Sequence, residues 1–165
     1  MTPLIRLAEK SDLDAIAENV MAMALESAGI DLSAEEVGQA VLTLFKRPEM
    51  GFYVVAESRG ESVGSLLVTF EWSDWHNGVY WWIQSVYVRP EDRRKGIYRR
   101  LYEYVRARAV SDPQAVGLNL YVYKENEVAR RVYETLGMRE SRSLMYHTPD
   151  LKREDSSHSN ARRGG

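Results

Sequence analysis

Residues 81–109 read WWIQSVYVRPEDRRKGIYRRLYEYVRARA, and this stretch decides the fold. The run that leads through it, Val79 to Val88, is aromatic and β-branched and holds no Gly or Pro, the composition of a buried strand. Pro90 lacks a backbone donor and ends that strand. Beyond the turn, Ile97, Leu101, Tyr104, Val105 and Arg108 recur at helical spacing, so the strand feeds a helix. The join holds Arg93, Arg94, Lys95 and Gly96, with Arg99 and Arg100 one turn further on. A helix N-terminus is the positive end of the dipole, so each cation there costs about 0.3–1 kcal/mol. Five cations in eight residues at such a place imply a polyanion among them, because free N–H groups make a ready anion seat. Gly96 lets the backbone approach that anion closely. The competing reading, a solvated basic helix face, would put the cations toward the C-terminus instead.

Outward from this unit, the rest of the chain alternates strand and helix signals. Leu4 to Leu7 is a short first strand. Ser11 and Asp14 mark a helix start, and Leu13, Ile16, Ala17, Val20 and Ala24 form its apolar stripe up to a stop at Gly29. Ser33-x-x-Glu36 is a capping box for a second helix that Pro48 closes. Phe52 to Glu57 and Val63 to Trp72 are strands joined at Ser58-Arg59-Gly60, and Ser73 to Gly78 turns into the central strand. After the central helix, Asp112-Pro113 breaks the chain and Val116 to Val122 makes a fifth strand. Glu125-Asn126 opens a last helix that Gly137 ends, and Ser141 to His147 reads as a final strand. The segment 150–165 offers one large apolar side chain and no periodicity, so a single domain over 1–149 with a disordered tail is expected.

Composition bounds the partners. The chain has 165 residues, 44% hydrophobic and 28% charged, as an ordinary globular protein does. A formal net charge of −2 supplies no global field for nucleic acid or an anionic membrane. No apolar run approaches the roughly 18 residues of a membrane span, and the N-terminus lacks the apolar region of a signal peptide. Zero cysteines exclude disulfides, Cys-bound metals and a Cys nucleophile. His76 and His147 show no metal-ligand spacing, so no metal site is expected, and a cytoplasmic location fits best.

Two motifs carry a resemblance. Arg93-Arg94-Lys95-Gly96-Ile97-Tyr98, after the strand ending Val86-Tyr87-Val88-Arg89-Pro90, resembles the acetyl-CoA signature of the GNAT superfamily of N-acetyltransferases, Gln/Arg-x-x-Gly-x-Gly/Ala. Tyr98 departs from the small residue at its last position. Asn126-x-x-Ala129-x-x-x-Tyr133-x-x-x-Gly137-Met138 is similar to the second signature, which ends Gly-Phe. Asn126 and Tyr133 lie seven residues apart and so project from one helix face. The resemblance spans about Leu4 to His147. It implies an α/β fold of α+β type: a mixed, mostly antiparallel sheet of about six to seven strands flanked by helices, with one parallel strand–helix–strand crossover.

The resemblance also implies a chemistry, direct transfer of the acetyl group of acetyl-CoA to a primary amine of a small molecule or protein through a tetrahedral intermediate. It assigns the cosubstrate to Val86, Val88, Arg93, Arg94, Lys95, Gly96, Ile97, Tyr98, Arg99, Asn126 and Tyr133. It implies that the Val86 or Val88 backbone N–H stabilises the oxyanion and that Tyr133 is the general acid for the departing thiolate. Some members carry a glutamate on the central strand; the matching residue here is Trp82, which cannot act as a base. Glu26, Glu71, Asp74 and His76 remain candidates acting through water. Phe70, Trp72, Trp75, Tyr80, Trp81 and Trp82 crowd one hairpin. They read either as a buried aromatic face with a homodimer edge or as an acceptor pocket of Trp82, Gln84, Glu26, Glu71 and Trp72. Two other functions compete: a non-catalytic CoA-binding module on the same fold, which Trp82 and Tyr98 would suit, and a nucleic-acid-binding domain using Arg93 to Arg108, against which the acidic balance speaks.

Overall fold

The structure, a computed structural model, describes residues 2–148. The predicted tail beyond 149 lies outside the described residues. The order of elements is β1 (Leu4–Leu7), α1 (Leu13–Ala28), α2 (Ala34–Lys46), β2 (Gly51–Ser58), β3 (Glu61–Ser73), β4 (Gly78–Val88), α3 (Ile97–Ser111), β5 (Ala115–Leu120) and α4 (Glu127–Thr135). Two compact units divide between Asn126 and Glu127. The first holds a five-stranded sheet in the order β1-β2-β3-β4-β5, antiparallel except for the parallel β4–β5 pair across α3.

The sheet thus has five strands where about six to seven were expected. Ser141 to His147 forms no ladder, and Leu144, Met145 and Tyr146 are exposed. Suitable composition makes a strand only where an edge satisfies its backbone groups, and among the described residues none pairs with it. α4 begins at Glu127, two residues later than expected, and buries none of its side chains fully.

Strand alternation sorts the side chains onto two faces. Tyr53 and Val55 face α1 and α2, where Ile16, Ala17, Val37 and Val41 complete a core to which Leu67 is added. Phe52, Phe70 and Trp81 take the opposite face, stacked edge-on, and the Arg108 guanidinium of α3 lies 5.7 Å from the Phe52 ring centre. Ile97, Leu101 and Val105 are the buried stripe of α3, as the spacing predicts. Asn19 of α1 donates to Ser65 Oγ at 3.0 Å, and both residues are buried, so α1 is registered on the sheet by a satisfied polar pair.

Local signals explain the connections. Ser33 Oγ accepts from the Glu36 N–H at 3.4 Å and starts α2. The β2–β3 turn places Arg59 (φ 55°) and Gly60 (φ 82°) in the left-handed region, as a two-residue hairpin turn of this hand requires. Gly51 has φ 153°, and a Cβ on it would stand 2.0 Å from the Val68 carbonyl oxygen, so only glycine admits β3 there. Among the described residues no helix is long and apolar enough to cross a membrane.

Candidate functional site

The central strand opens partway along its length. β5 pairs with β4 from Val79 to Ile83 and then ends, so Gln84 to Val88 have no ladder partner on that edge among the described residues. At the same level the other ladder slips: Leu67 faces Gln84 while Ser65 faces Tyr87. Ser85 and Val86 therefore oppose Leu66 alone, and Ser85 takes φ 47°. This is a β-bulge, which bends the strand and ends its pairing. Beyond it, the Arg89 N–H donates to Val63 O at 3.0 Å, toward β3. Backbone donors alternate sides along a strand, so the Val86 and Val88 N–H groups point to the open edge. Such an edge can pair with an extended amide chain or hold a developing oxyanion.

The strand runs into the cationic loop. Arg94 (φ 61°) and Gly96 (φ 75°) are both left-handed, a geometry that turns successive N–H groups into an anion-binding concavity. Gly96 is the N-cap of α3, no side chain caps it, and a Cβ there would meet nothing within 4 Å. The loop's cations are not equivalent. Arg93 donates through Nε to Val88 O at 2.9 Å and through Nη2 to Glu26 Oε2 at 2.6 Å. Lys95 pairs with Asp92 at 2.9 Å, and Arg99 sits 3.9 Å from Glu103. Arg94 forms no ion pair among the described residues. Lys95, Ile97 and Arg100 also border a cavity of about 730 Å³, on whose wall Arg89 pairs with Glu61 at 3.1 Å.

Glu26 thus meets the loop rather than standing alone on α1. Tyr87 Oη donates to its other oxygen at 2.9 Å, and the Arg93 guanidinium lies 5.4 Å from the Tyr87 ring centre. The hydrogen bond from Arg93 holds the Glu26 carboxyl below its ordinary range. Burial, with Glu26 beside it, pushes the Tyr87 phenol up.

On the α1/α2 face, upstream of the bulge, Trp82 and Gln84 lie beside Thr69 and Glu71 of β3. The Trp82 indole N–H donates to Glu71 Oε2, Gln84 Nε2 donates to Thr69 Oγ1 at 2.5 Å, and Tyr121 stacks on Trp82 at 4.5 Å between ring centres. Trp72 does not belong to this group. It pairs with Val79 and shares the opposite face with Phe70, 66% exposed, while Trp75 at the hairpin tip is 89% exposed. Trp81 is buried in the aromatic stack with Phe52 and Phe70, its indole N–H lacking a partner among the described residues.

In the second unit, Tyr133 lies on α4, half-buried, and burial raises its phenol pKa. The Met138 N–H closes the helix end on Tyr133 O at 3.1 Å. Asn126 closes the first unit, its N–H bonded to Tyr123 O at 2.9 Å. Sequence reasoning missed Tyr87, Thr69, Tyr121 and the Ser85 bulge. Ser85 is the one small polar residue in the run 79–88, a signal for a break in the ladder; the others meet their partners only through the fold.

The family model of the Acetyltransferase (GNAT) family matches residues 17–138. A solved structure of a "possible acetyltransferase" from Clostridium difficile 630 is 39% identical, covers 90% of this chain and 97% of its own, and superposes with a TM-score of 0.83. Glucosamine-6-phosphate N-acetyltransferase from Arabidopsis thaliana shares the fold at 21% identity, with 91% and 100% coverage and a TM-score of 0.70. A transcriptional regulator from Bacillus halodurans C-125 shares it at 23% identity, with 88% and 99% coverage and a TM-score of 0.71. No curated protein matches the chain.

Proposed function

The chain belongs to the acetyltransferase (GNAT) family, and from that premise we propose that it transfers the acetyl group of acetyl-CoA directly to a primary amine. One observation carries the proposal: the open β4 edge at the bulge leads straight into a left-handed loop at the N-terminus of α3. The two parts suit the two ends of one ligand. The Val88 N–H suits the amide arm and the Val86 N–H the acyl end of it, and the concavity over Arg94 to Tyr98 suits a pyrophosphate, with space left above Gly96. Arg94 is the loop cation available to the phosphates, while Arg93 holds the loop to β4 and α1. Lys95, Ile97, Arg99 and Asn126 complete the assigned set through the motif resemblance.

When bound, acetyl-CoA supplies the acyl group as a thioester; the rest falls to the chain. The Val86 N–H donates to the acyl oxygen as negative charge grows on it, a contribution of roughly 2.7–4 kcal/mol in acyl transfer. Tyr133, assigned by the Asn-x-x-Ala-x-x-x-Tyr pattern, gives its phenolic proton to the departing sulfur. The phenol is protonated at neutral pH and so has the proton to give, while burial, by raising its pKa, makes it the weaker acid. The attacking amine must lose a proton, and an alkylamine has a pKa near ~10.4. Trp82 cannot take that proton. Glu26 is anionic and bonded on both oxygens, so a water leading to it or to bulk solvent is the acceptor.

Trp82 in place of a strand glutamate favours one alternative, a CoA-binding module without turnover. Release of free thiol from acetyl-CoA over a panel of amines separates the two. The expected result is amine-dependent release. CoA-dependent thermal stabilisation with no release for any amine would favour the binding module.

A further inference from the structure

We infer that the acceptor is a linear amine carrying a second nitrogen that is protonated at neutral pH, held by Glu71 with the Trp82–Tyr121 pair. The inference rests on the transfer reading and adds its substrate class. Along β4, the α1/α2 face carries Trp82 and Gln84 and then, past the bulge, Tyr87. α1 and α2 cover this face as far as Leu67, and α1 meets β4 again at Tyr87, so the open strip runs over Trp82 and Gln84, with Gln84 exposed in mid-strand. An amine approaching the Val86 level from this face must lie along that strip.

Among the described residues the strip has one formal charge that no ion pair matches. Glu71 is exposed and forms no ion pair among the described residues, yet its carboxylate is aimed, because the Trp82 indole N–H takes one oxygen. Trp82 is in turn fixed by its stack with Tyr121. A carboxylate beside the electron-rich faces of two aromatic rings attracts an alkylammonium by charge and by cation–π attraction together. Gln84 and Thr69 satisfy each other next to it and add no charge. Arg93 is already bound to Glu26 and Val88 O, so the strip offers nothing to a phosphate.

Spacing sets the ligand's length. Trp82 and Val86 are four residues apart, but the bulge makes them span only Thr69 to Leu66 on β3, roughly 10 Å of strand. The reacting amine must be neutral at Val86, so a cation at Trp82 has to be a different nitrogen at the far end of an extended skeleton. Short amines and anionic amino sugars do not meet both requirements.

The test compares 1,8-diaminooctane with 1,8-octanediol, which replaces both ammonium groups by neutral hydroxyls at equal length, because an amino alcohol could still place its one ammonium at Glu71. Calorimetric binding to the full chain is measured with and without CoA. The diamine is expected to bind at least tenfold more tightly. Glu71→Gln is expected to abolish that preference while leaving the CoA-induced Tm shift unchanged. Trp82→Leu is expected to weaken the diamine more than the diol. Equal affinities, no saturable binding of either ligand, tighter binding of glucosamine 6-phosphate, or a preference that survives Glu71→Gln would each overturn the inference. A diamine preference without thiol release would leave this site standing and count against transfer instead; thiol release without the preference would do the reverse.

Discussion

Asp12 and Arg6 show how far one pair of side chains can be pushed by its surroundings. Arg6 donates to both Asp12 oxygens, at 2.7 and 2.9 Å, and to Glu57 at 2.8 Å, while Asp12 also accepts the Glu9 N–H at 2.7 Å. The Arg6 hydrogen bonds hold the Asp12 carboxyl below its ordinary value of 3.8. A depressed folded pKa stabilises above the unfolded value and is lost as pH falls through the folded one. Asp12→Asn is therefore expected to cost about 1–3 kcal/mol near neutral pH, with the deficit shrinking in denaturant titrations carried below pH 3.8. At the candidate site, Arg94→Ala should weaken CoA binding by about tenfold or more, since a hydrogen bond to a charged group is worth about 1.5–3 kcal/mol; titration calorimetry would show it. Tyr133→Phe removes one oxygen and keeps the ring. Turnover should fall by about tenfold to a few hundredfold, the low end of general acid catalysis because a CoA thiolate is a fair leaving group. Steady-state rates with a confirmed acceptor would reveal wild-type turnover if Tyr133 only packs.

At the scale of elements, the boundaries that were legible are those written in local chemistry. Leu4–Leu7, the Ser33 cap, the Arg59-Gly60 turn and the Gly96 start of α3 stand where their residues predict. Ser141 to His147 failed because a strand needs a partner edge, which local composition does not specify. Two glycines separate stability from function. Gly51→Ala would drive a Cβ into the Val68 carbonyl oxygen, so a loss of about 3 kcal/mol or more is expected in equilibrium unfolding. Gly96→Val meets open space and carries only the strain of its left-handed backbone, about 1–2 kcal/mol. Its main effect should be a diminished CoA-induced Tm shift, because the new side chain fills the concavity over the loop.

For the molecule as a whole, CoA binding to the native state alone should raise Tm, by an amount equivalent to about 2.7 kcal/mol at a hundredfold excess over Kd. Deleting residues 150–165, which contain almost nothing apolar, should leave unfolding midpoint and turnover nearly unchanged. The sequence by itself determined the strand–loop–helix unit around Gly96, the parallel crossover that follows it, and the family, because these rest on residues adjacent in the chain and on fixed helical and strand periods. Only the tertiary structure decided which cations remain for a ligand. Glu26 and Arg93 are 67 positions apart and meet at 2.6 Å, so the Arg93 charge is matched from within. It also decided which of the strand neighbours Trp72 and Glu71 takes the face of α1 and α2, and that Tyr121 closes on Trp82. Pairing register and helix docking bring such groups together, and both are set by the burial of the whole sheet, which no single stretch of sequence encodes.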